Sequence, residues 1–565
     1  MKRYIYMLVA GLAICSCTLD ENIYSNSQAE TFYRTTEECL AGLNGCYTNV
    51  RNILNNRKYF TIAECQSDIM FINRSDQPDA TLQVSPSNPQ FATSLWQFSY
   101  QGVMRANAVD AAIRRSPLSD EEKAPLIAEA AVLRSFFYYI LTINFGDVPF
   151  YKEEVTEDNI KSIARLKRMP ASDTRVSLMA DLHEWLIEKR ALDMKRTNDA
   201  DNRQRYRFGA AVGLMLGGKM ALWEKDWALA VEFFEGVEEI YGISPGQPHG
   251  ALDRYPLSDI PFSNRQVSES ILEISNIDED YGLQSSGTLA GICTPQKRVP
   301  DNTDEEYDDY DDGDFYEGIG IPELGNAART QYPVRPTFRF YKYLMPVDGT
   351  DRRRAQYDAA GVKIKDGGGY LAWGWPGYAP GADRTSAEPK WMFFNGTGKA
   401  TGRPYLGNKF WCFGMQYTAD SNSYKFFRFA GALLGLSEAW LGLGDIDKSC
   451  AYLNEVKRRA GIDTLDPLSL DEDQLLSEIQ DECARELFGE CQRKHDLVRW
   501  GIWYEYVVQY NAGPKDTKHP EYGGENNTTL FANIRPCHEY YPIPDEQVTY
   551  SKGALDNKEY NKYGL

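Results

Sequence analysis

The sequence predicts a mainly α-helical protein, built from helix-pair repeats and carrying long, irregular, loop-rich insertions. Three observations predict this fold class. Apolar residues in the N-terminal and C-terminal parts recur at the spacing of amphipathic helices. A helix–turn–helix pattern at residues 206–240 returns at residues 429–460. Residues 245–427 lie between the two copies and are rich in glycine, proline and aromatic residues, with few periodic runs.

The N-terminus has the pattern of a cleaved export signal. A basic start precedes the apolar run Tyr4–Ile14, which is too short to span a membrane because a span needs about 20 residues. A small residue, Ser16, then precedes Cys17, which is the pattern of a bacterial lipoprotein signal. We expect residues 1–16 to be removed and Cys17 to be acylated, with Cys15 as the alternative. An ordinary signal peptide that happens to contain cysteine is the simpler reading.

The next predicted elements are helices. An amphipathic helix is predicted near residues 36–54, within a helical part that spans residues 17–244. Two helix pairs follow in this part: 96–115 with 126–144, and 206–223 with 227–240. Asp226 stands in the turn of the second pair, where its side chain can cap the following helix.

The C-terminal part, residues 428–565, repeats this pattern. Helices are predicted at 429–443 and 448–460, and the stretch AWLGLGDIDKSCAYLN matches the earlier ALWEKDWALAVEFF. A recurring helix–turn–helix unit of about 34 residues is tetratricopeptide-like. Because the two copies are far apart in sequence, we expect them to stack in space. The alternative is a coincidence between unrelated amphipathic helices.

Composition excludes several classes of function. The 565-residue chain has a net charge of −20, which argues against nucleic acid as a partner. Nine cysteines lie beyond Cys17 and none forms a CxxC pair, so we interpret them as buried thiols with at most one disulfide. There is no HExxH motif and no nucleophile motif, so we predict neither a metal cofactor nor an enzyme.

Two motifs resemble ligand sites but fit poorly. Residues 213–220 nearly form a phosphate-binding loop, but Met220 replaces the Ser or Thr that would hold Mg²⁺, and no strand precedes it. The acidic loop 304–314 has part of a calcium-loop pattern. A solvated acidic loop is the simpler reading, with a structural Ca²⁺ as the alternative. Tyr307 and Tyr310 are interleaved with its carboxylates and could stack on a sugar.

Aromatic residues in the central part are the first candidates for ligand binding. Trp373, Trp375 and Tyr378 share one Gly/Pro-rich loop, and Trp391 follows in the next. Loops on a helical scaffold commonly carry binding residues. Covering one aromatic face contributes roughly 1–2 kcal/mol, at about 25 cal/mol per Å². The alternative is that these side chains are packing anchors.

Six stretches, in order, resemble the RagB/SusD family of outer-membrane nutrient-uptake lipoproteins of Bacteroidetes. They are ETFYRTTEECLAGLNGCY after Cys17, WQFSYQGVMRANAV (96–109), EAAVLRSFFYYILTINFGDVPF (129–150), RFAGALLGLSEAWLGLGDIDKSCAYLNEVKRRAGI (428–462), RELFGECQRKHDLVRWG (485–501) and YYPIPDEQV (540–548). Cys491 departs from the family pattern, which has glycine there.

The resemblance implies a SusD-like fold and a role in glycan capture. It implies a lipid-anchored protein on the outer membrane, facing the cell exterior, that delivers oligosaccharide to a SusC-like TonB-dependent transporter. Family pockets also draw on the segment before the first signature helix, where Asp68, Asn73 and Arg74 could bond sugar hydroxyls. Three alternatives stay open: a peptide-binding member of the family, a surface glycosidase with paired carboxylates, and a purely structural repeat protein.

Overall fold

A computed structural model describes residues 32–72, 76–193, 207–276, 287–293, 334–346, 349–354, 367–372, 374–377, 390–393, 404–412, 420–513 and 525–565. Helices dominate these residues, as predicted. The α-helices are α1 Thr36–Leu54, α2 Arg57–Glu64, α3 Phe91–Arg115, α4 Asp120–Phe145, α5 Ile160–Ile163, α6 Ala171–Leu182, α7 Ala210–Glu224, α8 Trp227–Ile240, α9 Ala290–Cys293, α10 Phe429–Gly442, α11 Ile446–Ala460, α12 Glu472–Glu486, α13 Arg493–Arg499, α14 Trp503–Val507, α15 Thr528–Asn533, α16 Asp545–Tyr550 and α17 Lys558–Asn561.

Short turns of other helical types accompany them. The π-helical turns are His183–Glu188, Phe340–Leu344 and Val508–Ala512, and the 3₁₀ turns are Leu257–Asp259, Pro467–Ser469 and Pro536–Glu539.

The long helices pack against one another in chain order. α1 packs on α3, α3 on α4, α4 on α6, α6 on α7, α7 on α8, α8 on α10, and α10 on both α11 and α12. The contact between α8 and α10 joins the two predicted repeat regions across the long insertion. One hydrophobic core runs through the whole array. The expectation that the separated copies stack in space is therefore confirmed.

α4 is the central helix of this core. Every residue from Leu126 to Phe145 is buried. The helix is long and apolar enough to cross a membrane, but its apolar window is entirely buried inside the protein. It also carries Arg134, which pairs with Asp110 at 3.1 Å and Asp181 at 3.2 Å. These features identify α4 as the core helix of a folded body.

The two matching helix hairpins use the same devices. Asp226 and Asp445 cap α8 and α11, and each side chain accepts a hydrogen bond from the backbone three residues later. Small residues let the helices approach closely. A Cβ added at Gly217 would lie 2.7 Å from Phe233, and one at Gly435 would lie 2.5 Å from Phe234. Gly217 belongs to the stretch that resembles a phosphate-binding loop. Its close approach to Phe233 shows that its role is helix packing.

Strands are short and pair only two by two in the described residues. They are β1 Met70–Ile72, β2 Ser270–Ile274, β3 Val334–Pro336, β4 Leu371–Ala372, β5 Gly374–Gly377, β6 Lys390–Phe393, β7 Tyr405–Leu406 and β8 Tyr424–Arg428. The antiparallel pairs are β1–β3, β2–β8, β4–β7 and β5–β6. β1–β3 joins the segment before the loop-rich insertion to the insertion itself, β2–β8 joins its first part to its C-terminal end, and β4–β7 and β5–β6 lie within it.

A buried ionic centre links β8 to α12. Arg428 is completely buried and donates to Glu490 at 3.0 Å, to Glu486 at 2.9 Å and to Glu269 at 2.7 Å. Arg459 also donates to Glu486, at 2.5 Å. Burial would raise the pKa of the Glu486 carboxyl, but the surrounding guanidiniums outweigh it and hold that pKa well below its usual range.

The cysteines of the described residues are free thiols. Seven are buried and two, Cys491 and Cys537, are half-buried. Cys450 and Cys483 lie on buried faces of α11 and α12, as predicted. The one disulfide that the sequence left open is absent from the described part of the chain. Burial raises the pKa of the Cys46 thiol to about 12, as expected for an inert core residue.

Candidate ligand-binding site

A group of aromatic residues lies next to the segment that leads into β1. α14 and the π-helical turn after it carry Tyr506 and Tyr510, whose rings are 5.4 Å apart in an edge-to-face arrangement. Both side chains are partly exposed. We call Tyr506, Tyr510 and Arg339, which lies against both rings, the tyrosine cluster.

Arg339 is the fixed centre of the tyrosine cluster. Its guanidinium carbon lies 5.4 Å from the ring centroid of Tyr506 and 4.7 Å from that of Tyr510. Its Nε donates to Asp68 at 3.0 Å and its Nη2 to Asp481 of α12 at 2.6 Å. Because two carboxylates hold the guanidinium, its position does not depend on a ligand.

Asp68 is a structural residue in this arrangement. It has no exposed surface, and it also accepts hydrogen bonds from Arg493 Nε and Nη2, both at 2.7 Å. Burial would raise the pKa of its carboxyl, but Arg493 and Arg339 outweigh it and hold the pKa at about 2. The prediction from sequence is that Asp68 bonds sugar hydroxyls. A side chain with no exposed surface cannot do so, and the prediction is wrong. Its side chain positions Arg339 instead.

Asn511 ties the tyrosine cluster to the chain before β1. Its Nδ2 donates to the backbone carbonyls of Cys65, Ser67 and Met70 at 3.0, 2.7 and 2.9 Å. Asn511 is fully buried and directly follows Tyr510. These bonds hold the backbone that carries the Tyr510 ring.

Further aromatic surface follows β3. The ring of Phe338 lies 5.4 Å from that of Tyr341 and 5.9 Å from that of Tyr343. Tyr343 is 40 % exposed, and Phe338 is partly buried. Phe338 is adjacent in sequence to Arg339, so this second group of rings lies on the chain segment that also carries Arg339.

The tyrosine cluster is suited to reversible binding. Burial raises the pKa of the Tyr506 and Tyr510 hydroxyls, so both remain protonated at neutral pH and can donate hydrogen bonds. Their partly exposed rings can stack against a flat, apolar ligand face. Within the described ranges, no group of three or more His, Cys, Asp or Glu side chains could hold a metal ion.

Most of the residues predicted from sequence cannot be compared with the structure. Trp375 of β5 lies opposite Met392, and Trp391 of β6 lies opposite Pro376, so the β5–β6 pair brings the two tryptophans to neighbouring register positions. The predicted residues that lie outside the described ranges are Cys17, Asn73, Arg74, Tyr307, Tyr310, Trp373 and Tyr378, together with the acidic loop 304–314 and its possible Ca²⁺ site.

Sequence reasoning missed the tyrosine cluster. Tyr506 and Tyr510 lie four residues apart in the stretch WYEYVVQY, and that spacing puts two rings on one helical face. This signal was available in the sequence. Arg339 gave no comparable signal, because its partners Asp68 and Asp481 are distant in sequence.

Comparison with known families agrees with this architecture. A sequence model described as the SusD family matches residues 334–560, and one described as starch-binding associating with outer membrane matches residues 19–181. Together the two matches span more than half of the chain. The chain belongs to the SusD/RagB family.

Individual relatives are distant but match over nearly their whole length. SusD-like protein P25 of Formosa agariphila is 22% identical, over 99% of this chain and 98% of that protein. A crystal structure of a SusD homolog from Bacteroides thetaiotaomicron has a TM-score of 0.68 at 17% identity, covering 93% of this chain and 97% of that one. Surface glycan-binding protein A from Bacteroides thetaiotaomicron, solved in complex with laminarihexaose, has a TM-score of 0.61 at 19% identity, covering 92% and 98%. This SusD fold is mainly helical, as the sequence predicts.

Proposed function

We propose that this SusD-family chain captures oligosaccharide at the cell surface without catalysis and delivers it to a SusC-like TonB-dependent transporter. The observation that carries the proposal is the tyrosine cluster, in which two partly exposed rings are held against a fixed guanidinium. A relative with the same fold is described as a laminarin-binding SusD-like protein, which supports a glycan as the ligand class.

The chemistry of the cluster favours a sugar over a charged ligand. The charge of Arg339 is already neutralised by Asp68 and Asp481, so the cluster offers ring faces and hydroxyl donors rather than a free charge. Each covered ring face contributes roughly 1–2 kcal/mol. Two or three such contacts together with hydrogen bonds give affinities in the micromolar-to-millimolar range, which allows release to a transporter.

The predicted loop aromatics form the second part of the proposal. Trp373, Trp375, Tyr378 and Trp391 remain the first loop candidates for contacts with the same glycan, with Tyr307 and Tyr310 next. Asn73 and Arg74 directly follow β1 in sequence and remain polar candidates. A loop platform changed to Ala should weaken binding about ten- to thirty-fold with an unchanged melting temperature. A packing anchor should instead lose about 3–5 kcal/mol of stability.

Calorimetric titration with laminarihexaose, an α-glucan of equal length and a peptide panel tests the proposal. We expect at least one glycan to bind, with Tyr506→Ala and Tyr510→Ala each weakening it roughly tenfold, by loss of one stacked face. Tyr563→Ala removes an exposed tyrosine outside the cluster and is the matched control. Binding of peptides but of no glycan would replace the ligand class. New reducing ends after prolonged incubation would restore the glycosidase alternative.

Delivery to a transporter has its own test. We expect the lipid-anchored chain to co-purify with a SusC-like transporter expressed from the same cells. The complex should form without glycan, because a partner for uptake has to be present before the ligand arrives. Co-purification that fails under gentle detergent extraction would contradict the delivery step while leaving glycan capture intact.

A further inference from the structure

A groove on the helical scaffold shares no lining residue with the tyrosine cluster. It is bounded by α3, by the segment that follows α4 and by α16 with the turn after it, and its volume is about 430 Å³. This volume falls within the range of roughly 300–1,000 Å³ that is typical of small-molecule sites.

One wall of the groove is formed by two parallel rows of side chains on α3. Trp96, Tyr100 and Met104 recur every four residues, and Gln97 and Gln101 form the adjacent row. Residues four apart lie on the same helical face. The helix therefore presents an aromatic and apolar row next to a row of side-chain amides.

The aromatic row is rigid. The ring centroids of Trp96 and Tyr100 are 4.8 Å apart. The Tyr100 hydroxyl donates to the backbone carbonyl of Pro149 at 2.7 Å, which fixes the ring against the segment that follows α4. Trp96 is only 5% exposed and forms the floor, whereas Met104 is 42% exposed at one end.

The opposite wall adds an amide and an exposed ring. Gln547 and Tyr550 come from α16, and Tyr550 is 64% exposed at the rim. The Tyr550 hydroxyl donates to Glu546 at 2.8 Å. In the described part of the chain, the side chains of Gln97 and Gln547 have no hydrogen-bond partner, so both amides can serve a ligand; Gln101 accepts a long hydrogen bond from Asn49, at 3.4 Å.

The lining of the groove contains no charged side chain. A quarter of the residues of this chain are charged, and its net charge is −20, so an uncharged surface groove is unexpected for this composition. Amides donate and accept hydrogen bonds, and aromatic rings cover flat apolar faces. This combination selects a neutral ligand with hydroxyl groups around a flat ring.

We propose that this groove is a second binding site, for a neutral saccharide unit. The ring floor would cover one face of the sugar, and the amides of Gln97 and Gln547 would bond its hydroxyls from both sides. This inference rests on the proposed function only in taking a glycan as the ligand class. Its position adds a glycan contact on the helical scaffold, with lining residues that the tyrosine cluster does not contain.

The methyl group of Met104 allows a direct test by NMR of the full mature chain labelled with ¹³C-methyl methionine. The Met104 signal is assigned with Met104→Leu, and Met215, which is 1% exposed in the core, is the internal control. Titration with laminarihexaose should shift the Met104 signal and leave Met215 unchanged. The shift should persist in a Tyr506→Ala/Tyr510→Ala double variant. Gln97→Ala or Gln547→Ala should weaken it about five- to tenfold, by loss of one neutral hydrogen bond.

The possible failures are distinguishable. If calorimetry detects glycan binding but the Met104 signal does not shift at millimolar sugar, the second site is overturned and the proposed function stays intact. A Met104 shift caused by neutral peptides but by no sugar would overturn the ligand class of the groove. Loss of calorimetric binding in the double variant together with a persisting Met104 shift would support two separate sites. Unchanged Met104 affinity in both glutamine variants would overturn the proposed amide contacts.

Discussion

Lys225 and Gly444 hold the same position in the two matching helix hairpins, directly before the capping residues Asp226 and Asp445. Both have left-handed backbones, with φ of +55° and +80°. A side chain in this conformation costs about 1–2 kcal/mol, whereas glycine adopts it freely. Lys225 is exposed, so its side chain returns little packing energy.

Lys225→Gly removes this backbone strain, but glycine also adds entropy to the unfolded chain, which offsets part of the gain. We therefore expect a net stabilisation of about 0.5–1 kcal/mol. Gly444→Ala is the reciprocal change. An added Cβ there has no atom within 4 Å, so the expected loss of about 1 kcal/mol comes from the backbone alone. Thermal unfolding of both variants measures the effect. A lower melting temperature for Lys225→Gly would show that the turn is not strained.

Glu64 is a buried carboxyl whose protonation should couple stability to pH. Burial raises its pKa from 4.5 to about 8, although its oxygens accept hydrogen bonds from the backbone of Gly489 and Gln492. Between these pH values the unfolded chain releases the proton and the folded chain keeps it. The stabilisation is thus fully present below pH 4.5 and is lost as the pH rises through 8.

Glu64→Gln keeps the shape of the side chain and removes the titration. Urea unfolding should show that the free energy of unfolding of wild type falls between pH 5 and pH 8 by on the order of a few kcal/mol more than that of this variant. Glu239→Gln, at an exposed surface ion pair, is the control. Parallel pH profiles for wild type and Glu64→Gln would mean that Glu64 is ionised in the folded protein.

At the scale of helices, two glycines should respond oppositely to alanine. Gly45 is exposed in the middle of α1, and an added Cβ meets nothing within 4 Å. Gly45→Ala should therefore stabilise α1 by about 0.5–1 kcal/mol. Gly435 of α10 faces Phe234 of α8, and Gly435→Ala should cost about 1–3 kcal/mol because the hairpins are forced apart. Equal effects in chemical denaturation would contradict the close packing of α8 and α10.

The buried ionic centre should hold β8 and α12 together. Glu486→Gln leaves Arg428, Arg459 and Arg353 short of negative charge inside the core. We expect a loss of about 3–5 kcal/mol, measured by urea unfolding. Glu239→Gln breaks the pair with Arg190, in which both side chains are half exposed, and should cost at most about 1 kcal/mol. Similar losses in the two variants would show that the buried ionic centre stabilises the protein no more than an exposed ion pair does.

Helix hairpins could be predicted because their signals are local. α8 spans the predicted residues, and Asp226 caps it as its position in the turn suggested. Other helices begin earlier than predicted: α3 at Phe91 instead of 96, and α4 at Asp120 instead of 126. α3 starts after Gln90, which has a positive φ and no side-chain cap, so the sequence contains no start signal there. For α4, the capping box of Ser119 and Glu122 is a local sequence signal that marks the earlier start.

The candidate site was harder to predict because its contacts join distant parts of the whole molecule. Asp68 lies against Arg339 of the tyrosine cluster, but its burial depends on Arg493, which is remote in sequence. The ionic centre likewise joins Glu269, Arg428 and Glu486. With 81 acidic and 61 basic residues, the sequence offers no way to choose such pairs. The division at residues 245 and 427 stays a prediction.

The whole molecule should be attached to the membrane through lipid alone. α4 is the described helix that is long and apolar enough to cross a membrane, and it is buried in the core. We expect attachment to depend on acyl chains at Cys17, which would contribute about 0.8 kcal/mol per buried CH₂. Cys17→Ala should release the protein into the soluble fraction and abolish fatty-acid labelling, while laminarihexaose affinity stays the same. Cys15→Ala is the matched control and should remain labelled and membrane-bound. If Cys17→Ala keeps its label and Cys15→Ala loses it, the anchor is Cys15.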